Sequence, residues 1–170
     1  MRRKQDEIST DDDFRVHELP TYRFRIRDVV WLLDGIPRWR LEKFLSGKRF
    51  KLSPSGHIGM GSGAWRFFNY QDVYRLAIAY RMSLDGFAPK LVSDVLKEIR
   101  DEELLDINRH GESTAPHLGL FRKEEEEEPR VEILGPHVQE EPYYVLKLDE
   151  IIRRIDGKIM SKKKEKEREE

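Results

Sequence analysis

Apolar residues fall in short clusters separated by glycine, proline and charge, and the spacing inside each cluster predicts its element. Phe24-Arg25-Ile26 is strand-like. Arg27 to Asp34 predicts a short helix with Val29, Val30 and Leu33 on one side, ended by Gly35, a residue that takes the left-handed backbone readily. Pro37 has a fixed φ and no donor, which suits a turn or a first helical position. Arg38 to Ser46 then predicts a second helix, with Trp39, Leu41, Phe44 and Leu45 apolar and Arg38, Arg40 and Lys43 basic. Two short helices joined by a tight glycine-containing turn form a helix-turn-helix.

The next stretch is not helical. Phe50 to Ser53 and Ala64 to Phe68 read as the two strands of a hairpin around a glycine-rich loop. That loop holds Pro54, Gly56, Gly59, Gly61 and Gly63; its Gly59-Met60-Gly61-Ser62-Gly63 lacks the Gly-Lys-Ser/Thr ending of a phosphate-cradling loop, so nucleotide binding is not expected there. Asn69 is a good N-cap. Val73, Leu76, Ala77, Tyr80 and Leu84 follow at helical spacing and define one face. Asp85-Gly86-Phe87 breaks this helix, and Pro89 opens another with Leu91, Val92, Val95, Leu96 and Ile99.

The C-terminal third is less apolar. His117 to Phe121, Val131 to Leu134 and Tyr143 to Leu148 are strand-like, and Asp149 to Ile159 predicts an amphipathic helix carrying Ile151, Ile152, Ile155 and Ile159, with Asp149 as a cap. The expected organisation is an unstructured arm over residues 1–20, a folded unit over 21–105, an acidic Gly/Pro linker over 106–130, a small strand-helix segment over 131–160, and a charged tail over 161–170, able to extend the helix. The C-terminal segment is too small to stand alone, so it packs on the folded unit or on a second subunit.

Charge sharpens this division. The 170 residues carry 32 Lys+Arg against 33 Asp+Glu, a net charge of −1. Residues 21–100 hold 15 basic and 7 acidic residues, whereas residues 101–160 hold 8 basic and 16 acidic. The neutral total is therefore an average over a basic apolar block and an acidic C-terminal region. A basic folded unit suggests a polyanion partner. The acidic run Glu124 to Glu128 reads as a solvated spacer, or as a competitor of DNA for the basic block. Charged residues make up 38% of the chain and mean hydropathy is −0.75, so tails or linkers are expected around one core. With no cysteine, disulfides, thiolate metal sites and a thiol nucleophile are excluded. No apolar run exceeds five residues and the start, MRRKQDE, is not a signal peptide, so a cytoplasmic, nucleoid-associated protein is expected.

Residues 22–100 resemble the DNA-binding domain of the MerR-type transcriptional regulators. The resemblance rests on RDVVWLLD as first helix, GIP at the turn, RWRLEKFL as recognition helix, GAWRFF as the glycine–aromatic–arginine–x–aromatic wing motif, NYQDVYRLAIAYRMSLDGF ending in a Gly-Phe turn, and APKLVSDVLKEI. It departs at Leu41-Glu42-Lys43-Phe44, where the family has Leu-Arg-Tyr-Tyr, so Glu42 stands in place of a basic contact. The wing is also longer, and no effector module or sensing cysteine follows. The resemblance implies a mainly α fold with a small β-hairpin wing, a MerR-like winged helix-turn-helix, followed by the acidic linker and the small C-terminal strand/helix segment.

A recognition helix reads base edges in the major groove with residues near its N-terminus. Here those are Arg38, Trp39, Arg40 and Lys43; Lys48, Arg49 and Lys51 continue the basic run toward phosphates. The resemblance adds Arg66 as a wing contact to the backbone. Trp39, Phe44, Trp65 and Phe68 are expected to serve the core rather than to stack on bases. The five histidines show no ligand spacing and no Ser/His/Asp set stands out, so no enzyme, metal or cofactor is expected. The partners expected are double-stranded DNA and a second copy of the chain, the latter because two-fold protein symmetry suits palindromic sites. The function expected is a transcriptional regulator. The alternatives are an excisionase-like DNA-bending accessory protein and a protein-interaction adaptor on a winged-helix scaffold.

Overall fold

The computed structural model describes residues 24–46, 52, 56–58, 65–100, 104, 117–121, 129–134 and 141–169. Their elements run β1 (Phe24–Arg25), α1 (Ile26–Leu32), α2 (Arg38–Ser46), β2 (Gly56–Ile58), β3 (Trp65–Phe68), α3 (Tyr70–Leu84), α4 (Pro89–Glu98), β4 (His117–Phe121), β5 (Arg130–Leu134), β6 (Tyr144–Lys147) and α5 (Leu148–Glu169). The described chain is mainly helical, with two small antiparallel sheets.

Local chemistry sets the helix ends. At the start of α1 the Arg25 N–H donates to the Asp28 carboxylate at 2.9 Å. At its end the Gly35 N–H donates to the Val30 carbonyl at 2.8 Å, and both Asp34 (φ 56°) and Gly35 (φ 75°) are left-handed. The turn therefore needs glycine at one position and tolerates aspartate at the other, a residue that visits this region more easily than most. The Pro37 carbonyl accepts the Arg40 and Leu41 N–H groups at 2.9 and 3.1 Å, which starts α2. Asn69 and Asp72 cap α3 reciprocally: the Asp72 N–H donates to Asn69 Oδ1 at 2.8 Å and the Asn69 N–H to Asp72 Oδ2 at 3.0 Å.

The first sheet has the order β1-β3-β2, with Phe24 opposite Phe68 and His57 opposite Arg66. Its outer hairpin strand is Gly56–Ile58, inside the stretch read as glycine loop; Phe50, Lys51 and Ser53 of the expected strand lie outside the described residues. Leu52, the one described residue of that expected strand, gives its N–H to the Phe44 carbonyl at 2.9 Å. That bond satisfies an open carbonyl at the end of α2.

The second sheet has the order β5-β4-β6. Its central strand β4 lies within the span expected to be linker, because Leu118, Leu120 and Phe121 are buried. The expected boundary at residue 160 also disappears: α5 starts at Leu148 and runs unbroken to Glu169. Ile152, Ile155 and Ile159 of α5 and Leu118, Leu120 and Leu146 of the sheet join Val29, Leu41, Phe44, Phe68 and Val73 in one apolar cluster. The apolar stripe of α5 and three small strands have too little apolar surface to bury among themselves, so they share the core of the first unit.

Helix α3 is the hub. Besides Val73, Leu76 and Ala77, it buries Tyr74, Ile78, Ala79 and Met82, and it packs against both α4 and α5. Phe44 and Phe68 are core residues as expected. Trp39 is not: it is 64% exposed, because α2 buries Leu41, Phe44 and Leu45 on its other side. Leu84 is 57% exposed, being the last residue of α3, where the chain turns away and Phe87 packs instead. The arm over residues 1–20, the acidic run 124–128 and the side chain of Trp65 lie outside the described residues.

Candidate nucleic-acid interface

Five of the eight expected contact residues, Arg38, Trp39, Arg40, Lys43 and Arg66, lie among the described residues. Lys48, Arg49 and Lys51 lie outside them. Burying Leu41, Phe44 and Leu45 turns Arg38, Trp39 and Lys43 to solvent. Arg40 is half-buried, its guanidinium 5.2 Å from the Trp39 ring centre and 5.8 Å from that of Tyr80 on α3. Such cation–π contacts orient Arg40 and hold the indole.

Arg66 of β3 reaches α2. Its guanidinium donates to Glu42 Oε2 at 2.8 Å, with each side chain about one-third exposed. Glu42 therefore has a structural use: it ties the first sheet to α2. The same pair neutralises the arginine that the resemblance assigns to the DNA backbone. Arg38 and Lys43 remain the exposed cations of α2.

A second set of basic residues was not singled out from the sequence. Helix α5 runs alongside α1 and holds it through three cations. Lys158 Nζ donates to the Trp31 and Leu32 carbonyls at 3.3 and 3.0 Å and to the Asp34 carboxylate. Arg154 pairs with Asp34 at 2.6 Å, and Lys162 with Asp28 at 2.8 Å. Lys158 and Lys162 lie 5.7 and 5.3 Å from the Trp31 ring centre. Positive charge at the last carbonyls of α1 opposes the negative end of its dipole. Burial alone would raise the pKa of Asp28, but the Lys162 hydrogen bond and the Arg25 N–H outweigh it and hold the carboxyl below its usual range. The signal in the sequence was Arg154, Lys158 and Lys162 at four-residue spacing, which places them on one helical stripe.

Two more polar contacts fasten the C-terminal elements to α3. The Tyr74 hydroxyl donates to Asp156 Oδ1 at 2.6 Å. Burial pushes the Asp156 carboxyl up to about 6, partly offset by that bond, and burial also raises the Tyr74 hydroxyl. The Tyr144 hydroxyl donates to Asp85, and its pKa rises to about 12 through burial and the neighbouring carboxylate. Asp149, expected to cap α5, lies within its first turn, with Oδ1 3.6 Å from His117 Nδ1 and Oδ2 3.7 Å from an Arg153 nitrogen.

A cleft of about 650 Å³ opens between the end of α1, α3, β6 and α5. The cations on its walls are each paired: Arg154 with Asp34, Lys147 with Glu150, and Arg81 with Asp85. Among the described residues no helix is long and apolar enough to cross a membrane. No protein-family model matches the chain, and no curated protein matches it in sequence.

Proposed function

We propose that this chain is a DNA-binding transcriptional regulator of the MerR-like winged helix-turn-helix type. In this reading α2 enters the major groove with Arg38, Trp39, Arg40 and Lys43 at its leading end, α1 braces it, and the β1-β3-β2 sheet is the wing beside the sugar-phosphate backbone. The observation that carries the reading is the sidedness of α2, which buries its aliphatic positions and presents Arg38, Trp39 and Lys43 to solvent. A helix offered to DNA needs cations and base-reading side chains on the face away from its own core. The neutralised Arg66 shifts the electrostatic contribution toward α2, and the paired cations of α5 serve the fold first.

The test is selection of bound duplexes from random DNA, followed by binding of the selected duplex across a salt series. An enriched sequence, with affinity that falls as salt rises, supports the reading. No binding at low salt overturns it and leaves a protein-interaction adaptor. A second reading, a DNA-bending accessory protein, is favoured by one observation: Trp39 is an exposed apolar ring at the leading end of α2, the kind of side chain that wedges between base steps. Enrichment of no sequence, together with bending in a circular-permutation assay, selects that reading. A two-fold symmetric selected site is expected to hold two copies of the chain; a complex whose mass contains one copy overturns the homodimer.

A further inference from the structure

We propose that Trp39 is a specificity residue that reads the 5-methyl group of thymine in the major groove; the inference rests on the DNA-binding reading of α2. Trp39 is the most exposed of the large apolar side chains among the described residues and the only such exposed one on α2. An indole left in water forgoes a large burial gain, since an aromatic side chain buries about 150–250 Å² when it packs. The fold makes no use of that gain, because α2 seals the core with Leu41, Phe44 and Leu45 alone. It nevertheless gives the ring a partner: the Arg40 guanidinium lies within 5.2 Å of the Trp39 ring centre and 5.8 Å of that of Tyr80, which belongs to the central helix α3. The indole is thus oriented ahead of binding, which reduces the ordering cost of using it.

The surroundings identify the occupant. Arg38 and Lys43, both exposed, share the solvent side of α2 with the ring. The apolar patch on this helix is one ring wide, far short of the roughly 800 Å² per partner of a stable protein interface. A narrow apolar element set among cations fits a polyanion whose groove carries isolated apolar groups. In the major groove that group is the thymine 5-methyl; the other base-edge groups displayed there are polar donors and acceptors. Trp39 would therefore discriminate A·T from G·C, while Arg38 and Lys43 supply polar and phosphate contacts.

The experiment uses the full chain and the duplex enriched by selection, with each thymine replaced in turn by deoxyuridine, which removes only the methyl. The wild type is expected to lose about fourfold in affinity at one thymine per half-site, the worth of one buried carbon. Trp39→Ala is expected to bind the thymine duplex more weakly and to be indifferent to that replacement; Trp39→Phe keeps part of the sensitivity. Because Trp39 lies outside the core, both variants should keep the wild-type unfolding midpoint. Equal sensitivity in Trp39→Ala and wild type overturns the inference, as does a wild type indifferent at every thymine. Loss of bending in Trp39→Ala without any methyl dependence assigns the ring to a wedge and also overturns it. If the protein binds no duplex, the reading of α2 fails and this inference fails with it; sequence-specific binding unchanged by Trp39→Ala refutes the inference alone.

Discussion

The Tyr74–Asp156 pair makes stability depend on pH in a direction opposite to that of most carboxylates. Asp156 sits among α5 residues that face α3, and burial raises its pKa from the ordinary 3.8 to about 6 even with the Tyr74 hydroxyl donating to it. A folded-state pKa above the unfolded one means that the folded protein holds the proton more tightly. The stability contributed by the protonated acid is thus fully present below about pH 4 and is lost as pH rises through about 6. At about 1.4 kcal/mol per pKa unit, the interval amounts to about 3 kcal/mol, an upper value because solvent reaches part of the group. Asp156→Asn keeps an oxygen for the Tyr74 hydroxyl and removes the charge. Relative to wild type it should be near neutral at pH 4 and more stable by about 2–3 kcal/mol at pH 7.5. The assay is urea unfolding followed by circular dichroism at several pH values, with the difference between the two proteins plotted so that other titrating groups cancel. Tyr74→Phe is the companion: it leaves the buried carboxylate without its donor and should lower stability at pH 7.5 by about 1–3 kcal/mol. A wild-type-minus-variant difference that is flat with pH, or Asp156→Asn less stable than wild type at pH 7.5, would refute the reasoning.

Other expectations follow from single contacts. Lys158→Ala removes the donor that the Trp31 and Leu32 carbonyls and Asp34 share, and should cost about 1–2 kcal/mol in chemical unfolding; a cost below about 0.5 kcal/mol, the level of an ordinary surface substitution, counts against the clamp. Ile155→Ala cuts into the shared core and should cost about 2–5 kcal/mol, with α-helical signal and core fluorescence lost in one transition; two separated transitions would mean that the C-terminal elements fold apart. Glu42→Gln releases the charge of Arg66, so the variant should bind the selected duplex more tightly at low salt, with the slope of log affinity against log salt steeper by about one; an unchanged slope would mean that Arg66 does not meet phosphate.

The apolar spacing alone was enough to place most helices. Gly35 and Asp85-Gly86 marked the turns, Asn69 marked the start of α3 and Pro89 that of α4, since each of these acts through its own backbone or its neighbours within a turn. On α2 the stripe of Leu41, Phe44 and Leu45 was legible for the same reason, but Trp39 was not: it was expected in the core and stands in solvent. Less legible was whatever depended on a distant partner. The outer strand beside β3 could not be read from apolar content, because Gly56-His57-Ile58 carries little of it and is defined by its pairing with Trp65–Phe68. Tyr74, Ile78 and Met82 showed no role until α4 and α5 packed on α3, so α3 displayed one apolar face in sequence and buries more than one in the folded chain.

The same distinction separates the charges. Sequence by itself determined that the basic residues concentrate in one block with the apolar ones, and that Arg38, Arg40 and Lys43 share a short helix. Tertiary structure alone decided which cations stay exposed. Arg66 meets Glu42 across 24 positions of chain, and Lys158 reaches α1 across 126. A charge's worth depends on the distance to its counter-charge and on the solvent around both, and neither is a property of sequence neighbours.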